Sequence, residues 1–146
     1  MPVLFLILFG LVEFGVNVND YQAMRQSVRD SARGAIVGDY GNGTCAPAAA
    51  TAAANTAALQ CTTRANASMP SMAVKVVFTD NNGSTDFSTD KVKICTASKA
   101  RSITGIIAPF VNTVYLKSNV EMRAEKNLTL ANAADNDPSG ANWSWC

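Results

Sequence analysis

Residues 3–16 read V-L-F-L-I-L-F-G-L-V-E-F-G-V, an apolar run interrupted by a single charge, Glu13. From Val16 onward the pattern becomes amphipathic without a break signal. Val18, Tyr21, Met24, Val28, Ala32 and Ile36 recur at mostly helical spacing, and Asn17, Asp20, Gln22, Gln26 and Asp30 fill other faces. Pro2 falls in a first turn, where its missing N–H costs nothing. Gly34 and Gly38 mark the far end, with Arg33 where a cation suits the helix dipole. The pattern predicts one helix from about 3 to 37, roughly 50 Å long. That is much longer than the usual globular helix. A small head cannot cover it, so its first half must meet lipid or other subunits.

Three environments compete for residues 1–18. A cleavable secretory signal would carry a basic n-region and an A-x-A-like site, and neither precedes Asn17. A conventional anchor needs about 20 apolar residues, and this run is shorter. The remaining option is a helix that begins in a membrane and continues outside it as a packing element. The unbroken amphipathic continuation favours this last reading.

The rest of the chain alternates loop chemistry with short periodic segments. D-Y-G-N-G-T-C-A at 39–46 reads as loop. Residues 47–60 are alanine-rich behind Pro47 and predict a short helix. V-K-V-V-F-T at 74–79 and K-V-K-I-C-T at 91–96 predict strands, and the polar, N-G-containing stretch between them predicts an antiparallel hairpin. Residues 102–113 form a short helix or an apolar loop, and 114–124 alternate as a third strand. The fold class is α+β and pilin-like. A helical stalk at 1–38 carries a head at 39–146 with a short helix and a roughly three-stranded antiparallel sheet.

Composition narrows the chemistry. The net charge of +1 over 146 residues excludes a broad electrostatic footprint for nucleic acid. There is no histidine, which removes the commonest general acid–base and metal-binding side chain. No catalytic constellation, metal site or cofactor is expected. Asp80, Asp86 and Asp90 lie in the hairpin connection without EF-hand spacing and read as a solvated loop. Cys45, Cys61, Cys95 and Cys146 are even in number, widely spaced and lack a C-x-x-C pair, which points to two disulfides rather than zinc. An unbroken helix over 47–60 would hold Cys45 and Cys61 more than about 20 Å apart, against the roughly 7 Å a disulfide tolerates. Cys45–Cys61 is therefore disfavoured. Cys61–Cys95 with Cys45–Cys146, or Cys45–Cys95 with Cys61–Cys146, remain. N-x-S/T patterns begin at Asn42, Asn66, Asn82, Asn127 and Asn142 and are weak glycosylation candidates, since an Asn- and Thr-rich chain yields some by chance.

On the stalk, Glu13 is the sharpest residue, because a carboxylate in an apolar run is costly unless paired or protonated. It either neutralises a neighbour's terminal amine or arginine during assembly, or lies solvated at the head-group boundary. Arg25, Arg29 and Arg33 share one stripe that could meet acidic lipid or a neighbour's acids, or could be a solvated face. Phe5, Phe9, Phe14 and Tyr21 form an aromatic series whose natural use is packing rather than electron transport.

F-G-L-V-E-F-G at 9–15, followed by S-V-R-D-S-A-R-G-A-I-V-G at 27–38, resembles the N-terminal region of TadE-like pilins and pseudopilins of the tight-adherence branch of type IV pilus systems. The strand at 91–96, T-G-I-I-A-P-F at 104–110 and S-N-V-E-M-R-A-E at 118–125 resemble that family's strand, apolar loop and closing strand. The family's V-E-F-A-L-V-like segment and its early glutamate have no counterpart here, since the chain begins at Met-Pro just past where they would lie. This leaves open unusual processing or a mature or truncated form. Only Glu13, Phe14 and Gly15 carry over, as a helix-packing element.

The resemblance implies a cell-surface appendage built with a secretion ATPase and a prepilin peptidase. The expectation is a filament subunit, homo-oligomeric in a helical fibre, with the inner membrane as a stage before assembly and the pilus machinery as partner. Alternatives are a minor or initiating pseudopilin, a membrane-anchored accessory protein, and, from another class, a tethered secreted enzyme.

Overall fold

The computed structural model describes residues 2–80, 90–105, 108 and 113–146. Helix α1 (Pro2–Val37) is followed by a short 3-10 turn (Gly43–Cys45) and helix α2 (Ala52–Ala67). Strands β1 (Ala73–Thr79), β2 (Lys91–Lys99), β3 (Tyr115–Arg123) and β4 (Ala133–Ala134) form one antiparallel sheet in the order β3-β2-β1-β4. The α+β, pilin-like arrangement matches the sequence reading, with a fourth strand in place of three. The N-G turn signal at 82–83 lies outside the described residues, as does most of 106–112; residues 102–105 are loop.

Helix α1 runs unbroken because nothing in its pattern stops it before Gly38. There Gly38 adopts φ +75, its N–H donates to the Ala35 carbonyl at 3.0 Å, and the Asp39 N–H donates to the Gly34 carbonyl at 2.9 Å. These paired bonds satisfy carbonyls that a helix end otherwise leaves orphaned. A side chain at Gly38 would also collide with that of Lys126.

The two halves of α1 live in different surroundings. Met24, Val28, Ala32 and Ala35 are fully buried against Leu59 and Ala67 of α2 and against Met72, Val74, Val76, Val92, Ile94 and Leu130. The second half of the stalk is thus part of the core of the head. Strand alternation puts Val74, Val76, Val92 and Ile94 on the helix-facing side of the sheet. The other side holds Ala73, Cys95, Ala97 and Trp143, with Trp145 and Cys146 packed on them. Polar side chains of α2 stitch the helix to neighbouring backbone. Asn55 donates to the Thr129 carbonyl at 2.9 Å, Gln60 donates to the Val74 carbonyl at 2.9 Å, and the Thr56 hydroxyl both donates to and accepts from Ala131. Ser27 of α1 donates to the Thr63 carbonyl of α2.

The disulfides are Cys45–Cys61 and Cys95–Cys146, with Cα atoms 5.4 and 6.1 Å apart. This corrects the expectation that Cys45–Cys61 is disfavoured and replaces both alternatives. The cause is the start of α2. Pro47 holds Ala46 extended (φ −61, ψ 143), as the residue before a proline prefers. The helix then waits for Thr51, whose hydroxyl accepts from the Ala54 N–H at 3.3 Å as an N-cap. Cys61 therefore sits within α2, about 14 Å along it. Residues 46–51 run back beside the helix, and six extended residues reach about 20 Å.

The closed loops differ in length, with sequence separations of 16 and 51. Chain-entropy scaling assigns about 3 kcal/mol to the shorter and about 4 kcal/mol to the longer. We expect Cys95→Ser/Cys146→Ser to lower denaturation midpoints more than Cys45→Ser/Cys61→Ser. Peptide mapping without reductant checks the pairing, and urea unfolding checks the ranking.

Candidate functional site: an exposed apolar helix with a buried carboxylate

Among the described residues, the apolar sequence of α1 is left largely uncovered. Ten side chains (Val3 to Phe9, Leu11, Val12 and Phe14) are each 40–69% exposed. Phe5 and Phe9 stack at 6.5 Å between ring centroids, and Phe14 is open. A Cβ at Gly10 or Gly15 would meet no described residue within 4 Å, so the backbone there is open on its outer side. Helix α1 is long and apolar enough to cross a membrane. Residues 3–14 alone cover about 18 Å, against roughly 30 Å of bilayer hydrocarbon.

From residue 3 to residue 23 the one buried position is a carboxylate, Glu13, at 1% exposure. Its cover is the segment leaving β2. Glu13 Oε1 accepts from the Ser102 hydroxyl at 2.8 Å, from the Thr104 N–H at 2.9 Å and from the Thr104 hydroxyl. One turn on, the Asn17 amide donates to the Glu13 carbonyl at 2.9 Å and to the Arg101 carbonyl at 3.1 Å, while its oxygen accepts from the Arg101 N–H at 3.1 Å. Asp20 lies 3.8 Å from the Arg101 guanidinium. Positions 13, 17 and 20 share a helix face, and that face holds residues 101–104 against the stalk. Glu13 is therefore not solvated at a boundary, and its observed partners are in its own chain. Glu13 Oε2 is buried and has no hydrogen-bond partner among the described residues.

Beside this contact, α1 and the start of β3 bound an open apolar groove of about 590 Å3. Gly10, Phe14, Val18 and Tyr21 form one wall and Ala100, Val114 and Leu116 the other. Farther along α1, Arg25, Arg29 and Arg33 are exposed on one face with Gln22, Gln26 and Asp30, and the Arg25 guanidinium lies 5.6 Å from the Tyr21 ring centroid. Asn42, Asn66, Asn127 and Asn142 are exposed, and Asn82 lies outside the described residues. Asp80 follows β1, Asp90 is buried, and Asp86 lies outside the described residues. Among the described residues no cluster of His, Cys, Asp or Glu is placed to hold a metal ion.

Residues 1–33 match the family of TadE-like proteins. This family is linked to Tad pilus systems. The matched segment covers the exposed apolar half, Glu13 and most of the core-forming half of α1. No curated protein and no solved structure matches the chain.

Several residues that shape these surfaces carry no sequence motif. Ser102 and Thr104 look like ordinary loop residues. Asn17 is legible only as a polar residue one helical turn after Glu13. Asp137 organises the C-terminal tail. It accepts from the Ser139 N–H at 2.8 Å, the Ser139 hydroxyl at 2.7 Å, the Trp143 N–H at 2.9 Å and the Trp145 indole at 3.3 Å. Desolvation pushes its pKa up, but these donors outweigh it and hold the carboxyl at about 2. Lys93 donates to the Cys146 carbonyl, and Lys117 lies over the Trp145 ring.

Two outcomes follow for these contacts. In Glu13→Ala, amide hydrogen exchange at Thr104 should rise roughly tenfold or more, with core amides of β2 unchanged. Equal protection in both proteins would remove Glu13 as the anchor of this segment. For Asp137, a depressed native pKa contributes stability above the unfolded value of about 3.9, and that contribution is lost as pH falls toward about 2. Acid titration followed by tryptophan fluorescence should show a destabilising slope between these values that Asp137→Asn flattens.

Proposed function

We propose that the chain is a structural subunit of a Tad-like type IV pilus filament. The observation that carries this reading is a TadE-like segment whose apolar half is uncovered while its other half is fixed in the core of a disulfide-linked head. A surface of ten exposed large apolar side chains on one rod is unlike the scattered apolar residues of an ordinary surface. It calls for lipid before assembly and for other subunits afterwards. The two disulfides suit an oxidising, extracellular setting for the head. In this reading the chain performs no catalytic step. Its partners are other copies of itself, the inner membrane, and the assembly machinery that lifts it from there.

The test is electron microscopy of fibres sheared from cells that express the chain, with mass spectrometry of the purified fibre. The expected result is the chain as a stoichiometric fibre component, and Leu8→Asp should abolish its incorporation while the head keeps both disulfides. Fibres that form without the chain, with the chain retained in the membrane fraction, would instead assign it to an accessory or initiating role.

A further inference from the structure

We infer that a notch in the head, between the last turns of α1, the middle of α2 and the 39–42 connection, binds a divalent cation of the calcium type. Its donors are two carboxylates completed by neutral oxygens. That set differs from the larger groups of acids, histidines and cysteines that the described residues lack. The site lies apart from the apolar rod and is independent of the filament reading.

The notch holds about 220 Å3, and every residue that lines it is described. Asp30 and Ser31 enter from α1, Thr62 and Asn66 from one face of α2, and Asp39 and Asn42 from the connection. Two glycines bring these walls together. A Cβ at Gly34 would lie 2.9 Å from the Asp39 carbonyl oxygen, and one at Gly41 would lie 2.5 Å from the Thr62 hydroxyl. The Thr62 hydroxyl directs its proton at the Ala58 and Tyr40 carbonyls, at 3.0 and 3.3 Å, which leaves its lone pairs for a ligand. The last turns of α1 also present the end of the helix dipole that favours a cation.

Ser31 is the observation that points to a ligand. It is 3% exposed, it lines the notch, and its hydroxyl oxygen has no hydrogen-bond partner among the described residues. Even the carbonyl one turn back, which a helical serine can use, is not taken. Ser27, one turn earlier on α1, donates to the Thr63 carbonyl instead of standing open. A buried hydroxyl without a partner is costly and calls for an explanation. A water would satisfy the hydroxyl but not the charge beside it. Asp30 and Asp39 have no ion-pair partner among the described residues, and Asp39 Oδ1 accepts from the Gly41 N–H at 3.3 Å. Asp30 also borders the face of Arg29 and Arg33, and the Lys126 side chain lies against Gly38, yet none of these cations is within ion-pair distance of either acid. Oxygen donors alone select a hard cation. Two carboxylates, neutral oxygens and space for water suit calcium at the weak affinity of extracellular modules, about 10⁻⁴–10⁻³ M.

Calcium chloride titrated into the full chain in a non-ionic detergent tests the site, followed by amide NMR and by thermal unfolding. Intact disulfides report that each variant has folded. The expected result is saturable shifts at Ser31, at 39–42 and at Thr62, and a rise in the unfolding midpoint of about 5 °C at ten times the dissociation constant. Asp30→Asn and Asp39→Asn should each weaken binding about tenfold, and Ser31→Ala about threefold, while Glu121→Gln on β3 leaves it unchanged. Shifts that fail to saturate by about 10 mM calcium, or that potassium reproduces at equal ionic strength, would overturn the site. So would an affinity that Asp30→Asn and Asp39→Asn leave intact. An affinity unchanged in Ser31→Ala would remove the buried hydroxyl as a ligand, and with it the ground for a built site.

Discussion

The structure depends on one constraint: α1 is a single unbroken helix whose two halves have opposite needs. Met24, Val28, Ala32 and Ala35 are fully buried in the head, while the large apolar side chains from Val3 to Phe14 are exposed among the described residues. An α-helix transmits position along its length with little give, so fixing the second half in the core fixes the direction of the first. The head therefore aims an apolar rod. The Gly38 termination, the Ser27–Thr63 link and the Cys45–Cys61 bond all secure the core-facing half at the point where that direction is set.

Glu13 shows how the chain reconciles a carboxylate with such a rod. Leaving it bare among apolar side chains would cost far more than any nearby contact returns. The segment leaving β2 supplies two hydroxyls and one N–H to a single oxygen, and Asn17 and Asp20 hold that segment from the next turns. The acid thus ties the head's loop to the stalk and is withdrawn from the rod's surface. Sheet, loop and helix are joined at the one polar position the apolar run contains. A residue that looks like a flaw in the hydrophobic pattern is a point of attachment.

Long-period features were legible in the sequence, and long-range pairings were not. The 3.6-residue recurrence from Val18 to Ile36 gave the helix and its buried face, and Gly38 gave its end, because both signals are local. The Val- and Ile-rich runs at 74–79 and 91–96 gave β1 and β2 for the same reason. The two-residue β4 escaped because Ala133–Ala134 has no alternation to read and is held by pairing with Lys75 and Val76. The disulfide expectation failed on helix phase. Alanine propensity pointed to a start at Pro47, whereas proline's effect on Ala46 and the Thr51 cap delay it to Ala52. At Glu13, sequence flagged the residue but could not supply its partners, which lie about ninety positions away in an unmarked serine and threonine.

The same geometry explains why the tail is locked so firmly. Cys146 is bonded to Cys95 on the central strand, on the face opposite the helices, and Trp143 and Trp145 pack there under the Asp137 network. That side of the sheet would otherwise expose Ala73 and Ala97, small residues that cannot bury much area by themselves. The tail gives β2 apolar cover on both faces and leaves β3 as an edge with Lys117, Glu121 and Arg123 along it, charges that oppose edge-to-edge pairing. With the sheet closed off in this way, the exposed apolar surface among the described residues is concentrated on α1 and the groove beside it.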